Sequence, residues 1–409
     1  MNIVLEPGAA ALLDELHRAG FGAYAVGGCV RDSLLGLAPH DWDLCTAARP
    51  GQVMELFGED RCIPTGLQHG TVTVKRDGKL YEITTFRTEG HYSDGRHPDS
   101  VAFVPDLRED LARRDFTINA MAYSAEEGLC DPFGGREDLA RGVVRAVGEP
   151  LRRFGEDALR ILRLYRFAAR FGFAIDEATE AAAKQLASHL DCVSAERIEE
   201  ELNKLLAAPQ PGAYLEPEVL AFVLPELPPE ELTKARRRID ALPAGTEQVS
   251  ARWAALLLPL GETGARKALK RLKCSNARID GAVALVRECG EKTPDTLDKC
   301  DLCLQAKRLL GKYDLHTVRQ LTALWTALAP EEKASFDALR AEAEALTAQG
   351  VCCRISQLAV NGRDLMAAGA APGPGLRRVL EALLEEVITG RLPNEKTELL
   401  AFAAGFSAS

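Results

Sequence analysis

The sequence has no apolar run long enough to cross a membrane; the longest, Trp253–Leu258, falls far short of the ~18 residues a span requires. The opening stretch, MNIVLEPGAA, has neither a basic segment nor a long apolar core, so no secretory leader is expected and the chain is read as cytoplasmic. Cysteines number eleven, an odd count running from Cys29 to Cys353, and the pairs Cys300/Cys303 and Cys352/Cys353 repeat no zinc-ligand spacing. Reduced thiols follow as the simplest reading. Histidine is scarce: there are seven, with none between His189 and His316, so the His-Asp cluster of a metal-dependent phosphohydrolase is missing from that region. Positive charge is in deficit. Against 60 Asp and Glu stand 50 Lys and Arg, a net charge of −10, which argues against a protein that coats nucleic acid indiscriminately. No internal repeat of fixed period stands out.

What is present is an ordinary globular composition, 46% hydrophobic and 27% charged over 409 residues. That length suggests roughly two to four domains. Basic charge is concentrated locally: residues 151–170 carry six arginines, Arg266–Arg278 holds six basic residues and no acid, and Lys234–Arg238 holds four. Such patches suit a phosphate backbone, although solvated helix faces are their usual role. Short runs with strand character, Tyr24–Val26, Trp42–Leu44, Gly70–Val74, Leu80–Phe86 and Val101–Val104, lie before residue 140 between Gly, Pro and Asp. Beyond Gly148-Glu149-Pro150 the pattern turns almost wholly helical, broken by prolines at 209–217, 225–229, 243 and 372–374. This predicts an α/β head with a short mixed sheet, followed by all-α segments.

The chemistry concentrates in the head. Gly27-Gly28 follows an apolar strand and precedes a predicted helix, Val30–Leu35, an arrangement that lets a phosphate approach the backbone. Arg31 adds a charge-assisted donor. No Gly-Lys-Ser/Thr follows, so this is not a Walker loop. Asp41 and Asp43 flank Trp42 in a predicted strand, where alternation points both carboxylates the same way. Such a pair suits Mg2+ shared with substrate phosphates. Further on, residues 156–173 read as one helix with an apolar stripe through Ile161, Leu164, Ala168 and Phe171. Asp157 falls within that stripe and Arg160 at its edge, so a charged pair faces a junction where burial demands partners. On a straight helix Asp157 and Arg166 lie ~180° apart, which would keep one nucleotide from touching both.

In order along the chain come GGCVRDSLLG, DWDL, RRDFTINAMAY at 113–123, DPFGGREDL at 131–139, EDALRILRLYRFAARFGF at 156–173 and ERIEEEL at 196–202. This series resembles the class II, bacterial-type CCA-adding tRNA nucleotidyltransferases of the tRNA nucleotidyltransferase/poly(A) polymerase family. The resemblance is dense from Tyr24 to Leu206 and returns at GRDLMAAGAAPGPGL in the tail. It implies a polymerase-β-type nucleotidyltransferase fold with a head (1–140), a helical neck bearing a base-reading helix (141–207), a body (208–310) and a tRNA-binding tail (311–409). It also implies that Asp41 and Asp43 are catalytic and bind Mg2+, and that Gly28 and Arg31 line the triphosphate. Arg114 and Asp115 would sense the ribose, Asp157 and Arg160 would read the base, and Arg163 and Arg166 would support nucleotide or primer. A third carboxylate is common in the superfamily, and Glu82 is the candidate. The loop Arg87–Pro98 resembles one that CC-only enzymes lack. The activity so implied is template-independent addition of CCA to tRNA from CTP and ATP, releasing pyrophosphate, with no membrane or protein partner. A poly(A) polymerase or an A-adding enzyme of the same superfamily is the alternative. An inactive RNA-binding module is a further one, against which the intact Asp41 and Asp43 argue.

Overall fold

The computed structural model describes residues 3–90, 101–290 and 302–406. Most of the loop expected at Arg87–Pro98, from His91 onward, and Cys300 lie outside the described residues. The chain divides into two compact units, Met1–Pro225 and Glu226–Ser409.

In the first unit, helix α1 (Pro7–Arg18) starts at a proline behind Glu6, whose side chain accepts the Ala9 N–H, and buries Ala9, Leu12, Leu13 and Leu16. The spacing i, i+3, i+4, i+7 is that of a one-sided apolar face. Strand β1 (Ala23–Val26) is buried along its whole length, as a central strand should be. It is followed by α2 (Gly28–Leu34), β2 (Leu44–Thr46), α3 (Pro50–Phe57), β3 (Cys62–Gly66), β4 (Thr71–Arg76) and β5 (Lys79–Thr85). The β4–β5 hairpin turns through Asp77-Gly78, both at positive φ, the pairing a two-residue type I′ turn needs. Next come β6 (Arg87–Glu89), β7 (Val101–Phe103), α4 (Leu107–Ala112), β8 (Ala122–Ser124) and β9 (Gly128–Cys130). Seven strands form one sheet in the order β3-β4-β5-β2-β1-β8-β9. The sheet is mixed: β2 pairs parallel with β5, and the other pairs are antiparallel.

Helices take over after the sheet: α5 (Gly135–Arg141), α6 (Pro150–Glu156), α7 (Leu159–Phe171), α8 (Glu177–Gln185), α9 (Ala195–Leu206) and α10 (Pro217–Val223). Two sequence expectations need correction here. The strand expected at Trp42–Leu44 begins only at Leu44, so Asp41 and Asp43 precede it and strand alternation does not set their directions. The helix expected to run unbroken from residue 156 is two helices, because Asp157 is extended (φ −144°, ψ 105°) between α6 and α7.

Every helix of the second unit is α or short 3-10, with no strand among its described residues. Its helix Val249–Leu257 is buried on nearly every side, with the Arg252 guanidinium donating to the Leu242 carbonyl at 2.9 Å. Toward the end of the chain, Cys352, Leu358, Val360, Leu365, Leu383, Leu399 and Ala403 form a separate apolar cluster. The described cysteines are all free thiols. Among the described residues no helix is long and apolar enough to cross a membrane.

Candidate active site

An open cavity of about 600 Å³ lies in the first unit, walled by α2, the turn after α4, and helices α7 and α9. Nine arginines and three aspartates line it, the aspartates being Asp43, Asp115 and Asp157. The volume suits a small-molecule ligand, and the charge balance demands an anionic one.

The floor is Gly27-Gly28. Gly27 sits at φ +76°, which favours glycine, and a Cβ there would stand 2.8 Å from Arg114 Nη1, the movable end of that side chain. Gly27→Ala is expected to cost about 1–3 kcal/mol of stability and to displace Arg114. Thermal melting and nucleotide KM would both shift, and an unchanged KM would show that Arg114 does not serve the ligand.

Behind this floor, Arg31 is almost fully buried, with Nε donating to Asp32 Oδ1 at 2.8 Å and Nη1 donating to Asn119 Oδ1. Asp32 in turn holds Arg170 at 3.0 Å. A second buried carboxylate, Asp110, gathers Arg113 at 2.9 Å, Arg114 at 3.4 Å and the backbone N–H of Arg87. The ring of arginines is thus braced from behind by acids that do not themselves line the cavity.

Asp115 is filled on all sides. Oδ1 accepts the Phe116 N–H and the Asn119 amide at 2.8 and 3.0 Å, while Oδ2 accepts Arg163 Nε and Nη2 at 2.8 and 2.6 Å. A carboxylate has about four acceptor positions, and with these four contacts Asp115 acts as a bracket for Arg163. Burial alone would raise its pKa, but Arg163 and the Asn119 hydrogen bond hold it well below the ordinary carboxylate range. A depressed folded-state pKa stabilises the fold above the ordinary value and is lost as pH falls. Asp115→Asn is therefore expected to be destabilised by about 1–3 kcal/mol at neutral pH. In denaturant unfolding this deficit should shrink below pH ~4. A deficit constant with pH would show that the ion pair is not its source.

Asp157 and Arg160 both line the cavity and are joined through the backbone, the Arg160 N–H donating to the Asp157 carbonyl at 3.0 Å. Asp157 Oδ1 accepts the Leu159 N–H at 3.1 Å and Oδ2 accepts Arg197 at 2.9 Å. Arg160 donates to the Arg153 carbonyl at 3.0 Å, to Glu156 at 2.8 Å and to the Arg113 carbonyl at 3.1 Å. The extended residue at 157 removes the ~180° separation expected on a straight helix, so Arg166 shares the same cavity. Burial pushes Arg166 down to about 10, with Glu201 2.6 Å away opposing the shift.

The carboxylates expected to hold metal are placed differently from one another. Asp43 lines the cavity, while Asp41 is 84% exposed with His40 Nδ1 at 3.1 Å. The parallel register Leu44↔Ile83 brings Glu82 beside Asp43, one residue back on each chain. Burial in the cleft raises the Asp43 pKa; Arg114 opposes this, and Glu82 and Asp41 add to it. This like-charge crowding is what a divalent cation relieves. Among the described residues no three His, Cys, Asp or Glu side chains form a ready-made metal cage.

Sequence reasoning missed His69, Arg87, Arg113, Phe167, Arg170 and Arg197, all lining the same cavity. Arg113, Phe167, Arg170 and Arg197 lay inside the quoted motifs, whereas nothing local marks His69 or Arg87.

A nucleotidyltransferase-type head with an arginine-lined cavity defines the class, and comparison with known proteins agrees. Residues 23–145 match the family described as Poly A polymerase head domain. Residues 172–228 match the probable RNA and SrmB-binding site of polymerase A, and 245–403 a putative tRNA nucleotidyltransferase domain 2. The CCA-adding enzyme of Limosilactobacillus fermentum is 38% identical over 96% of this chain and 95% of its own. That of Geobacillus stearothermophilus is 37% identical over 96% and 95%. The crystal structure of the Bacillus stearothermophilus CCA-adding enzyme in complex with CTP superposes with a TM-score of 0.81, 34% identity, and 99% and 98% coverage. The Thermotoga maritima enzyme complexed with tRNA shares the fold at a TM-score of 0.69 and 22% identity, over 98% and 96% of the two chains. The chain belongs to the CCA-adding enzymes and is a nucleotidyltransferase.

Proposed function

We propose that the cavity binds CTP or ATP and that the enzyme transfers two CMP units and then one AMP to the 3′ end of tRNA. The carrying observation is the convergence of nine arginines with Asp43 and Asp157 on one cavity. The tRNA 3′-oxygen bonds to the α-phosphorus, its proton is lost to solvent, and the bond to the β-phosphate oxygen breaks to release pyrophosphate. Asp41 and Asp43 would hold Mg2+, with Glu82 alongside. When bound, the metal lowers the pKa of the attacking hydroxyl and neutralises phosphate charge. Arg31, Arg114, Arg163 and Arg166 orient the triphosphate and stabilise charge by position, as phosphoryl-type transfer requires.

The base is read at Asp157 and Arg160. Cytosine and adenine each offer an exocyclic amine beside a ring-nitrogen acceptor. Each Asp157 oxygen keeps a lone pair after its present contact, and Arg160 keeps N–H donors at Nε and Nη2. Uracil and guanine present the opposite pattern and leave both groups mismatched. Gly28 lets the phosphates approach the backbone, and Asp115 acts through Arg163. We assign residues 1–140 as head, 141–207 as neck, and 208–310 and 311–409 as body and tail. The basic stretches beyond residue 230 would hold tRNA by shape and phosphate. We read the enzyme as cytoplasmic, a location consistent with its use of CTP, ATP and tRNA. The direct test is competitive incorporation of the four nucleotides into tRNA lacking CCA. Rejection of UTP and GTP by at least ~100-fold is expected, since two unpaired buried contacts exceed ~1.4 kcal/mol each. Indiscriminate incorporation would overturn the base-reading assignment.

A further inference from the structure

Helix α7 carries an arrangement that ion pairing does not account for. Phe167 and Phe171, one turn apart, lie parallel, with 4° between planes and centroids 6.3 Å apart. Phe116 meets Phe167 edge-on at 5.8 Å and fixes its plane from behind. Four cavity arginines sit on these two rings. Arg166 lies 4.0 Å, Arg31 5.2 Å and Arg163 5.4 Å from the Phe167 centroid, and Arg31 5.0 Å and Arg170 4.8 Å from that of Phe171. All lie within the ~6 Å over which a ring face attracts a cation.

We infer that Phe167 and Phe171 are positioning residues for nucleotide binding: their faces hold four guanidinium groups in place while leaving those groups charged and able to donate. The inference rests on the reading of this cavity as the nucleotide site. A carboxylate that orients an arginine also cancels its charge and occupies its N–H donors. A ring face does neither, since its attraction comes from the quadrupole and the donors in the guanidinium plane remain free. Further acids around these guanidinium groups would fix them only by cancelling more of the positive charge that faces the ligand. The carboxylates that do pair with these four are few: Asp32 is shared by Arg31 and Arg170, Asp115 holds Arg163, and Glu201 holds Arg166. Orienting the remaining freedom on rings keeps the net positive field on the triphosphate and avoids reorganisation when it binds. Arg163, Phe167 and Phe171 follow at i, i+4, i+8, the spacing that stacks the rings and sets Arg163 against Phe167; Arg166 and Arg170 each precede a ring by one residue, and Arg31 comes from α2.

The test replaces Phe167 site-specifically with mono-, di- and trifluorinated phenylalanine, which drains the ring face of negative potential while keeping its shape and apolar character. The KM for CTP and ATP is expected to rise stepwise with fluorine number, reaching about tenfold at three fluorines, with kcat and melting temperature nearly unchanged. Phe167→Leu should raise KM at least as much, and it reports the loss of packing as well. A flat fluorination series beside an elevated KM in Phe167→Leu overturns the inference, because the ring would then serve packing alone. Arg163→Gln separates this from failure of the site itself. If Arg163→Gln weakens nucleotide binding while the series is flat, the ring role falls and the site stands; if Arg163→Gln also binds nucleotide normally, both fall.

Discussion

Asp43→Ala is expected to lower nucleotide transfer by at least ~10³-fold, the loss that follows when several kcal/mol of metal-borne charge stabilisation is removed. Binding of tRNA should stay within about twofold, because phosphate contacts to basic residues dominate RNA affinity. The fold should also survive. The parts of Asp43 that hold structure are backbone: its carbonyl accepts the Val26 N–H at 3.0 Å and the Cys29 thiol at 3.8 Å. Its side chain, by contrast, is disfavoured as an anion by burial and by Glu82 and Asp41, which Arg114 offsets only in part. Deleting that carboxylate removes repulsion, so the melting temperature should hold or rise as activity disappears. Asp41→Ala should match it in activity. Transfer at the wild-type rate by either variant would show that the metal carboxylates have been misassigned.

Asp157→Asn is expected to erode base selection more than rate. The amide keeps the size of the carboxylate but offers an acceptor and a donor, and it can turn either toward the base. The preference for CTP and ATP over UTP and GTP should fall by about 10–100-fold, the value of one good base contact. Weakening of the Arg197 contact, now 2.9 Å from Asp157 Oδ2, will cost some stability. Melting measured in parallel separates that cost from the change in selection. Exchanging the polarity of the pair would be a poorer experiment, since arginine at 157 would confront Arg197 and aspartate at 160 would confront Glu156. Unchanged selectivity in a well-folded Asp157→Asn enzyme would remove Asp157 from base reading.

Asp43, read from an expected strand, and Asp157, read from an expected helix, show how far the sequence carries. Gly27-Gly28, Arg31 and the helix behind them were legible, because an apolar strand ending in two glycines has few alternatives; observed helix α2 spans Gly28–Leu34. The α/β head and helical remainder followed from hydrophobic periodicity for the same reason. The strand alternation used to pair Asp41 with Asp43 does not hold, since pairing of β2 with β1 and β5 starts only at Leu44. What places Asp43 beside Glu82 is a parallel register between segments some forty residues apart, and no local pattern encodes it. The break at Asp157 was hidden because the apolar spacing continues across it. Asp157 bonds to Arg197 on α9 and to the Leu159 N–H, and those contacts exist only once the helices pack. His69 and Arg87 illustrate the same limit: both line the cavity, and the Arg87 guanidinium donates to the His69 carbonyl.

Extension of a tRNA ending at its discriminator base, with CTP and ATP supplied separately and together, tests the central claim most directly. CTP alone should add two residues and stop, ATP alone should add little, and both together should give a product three residues longer that grows no further. An open-ended A tail with ATP, or no extension under any of these conditions, would contradict the account.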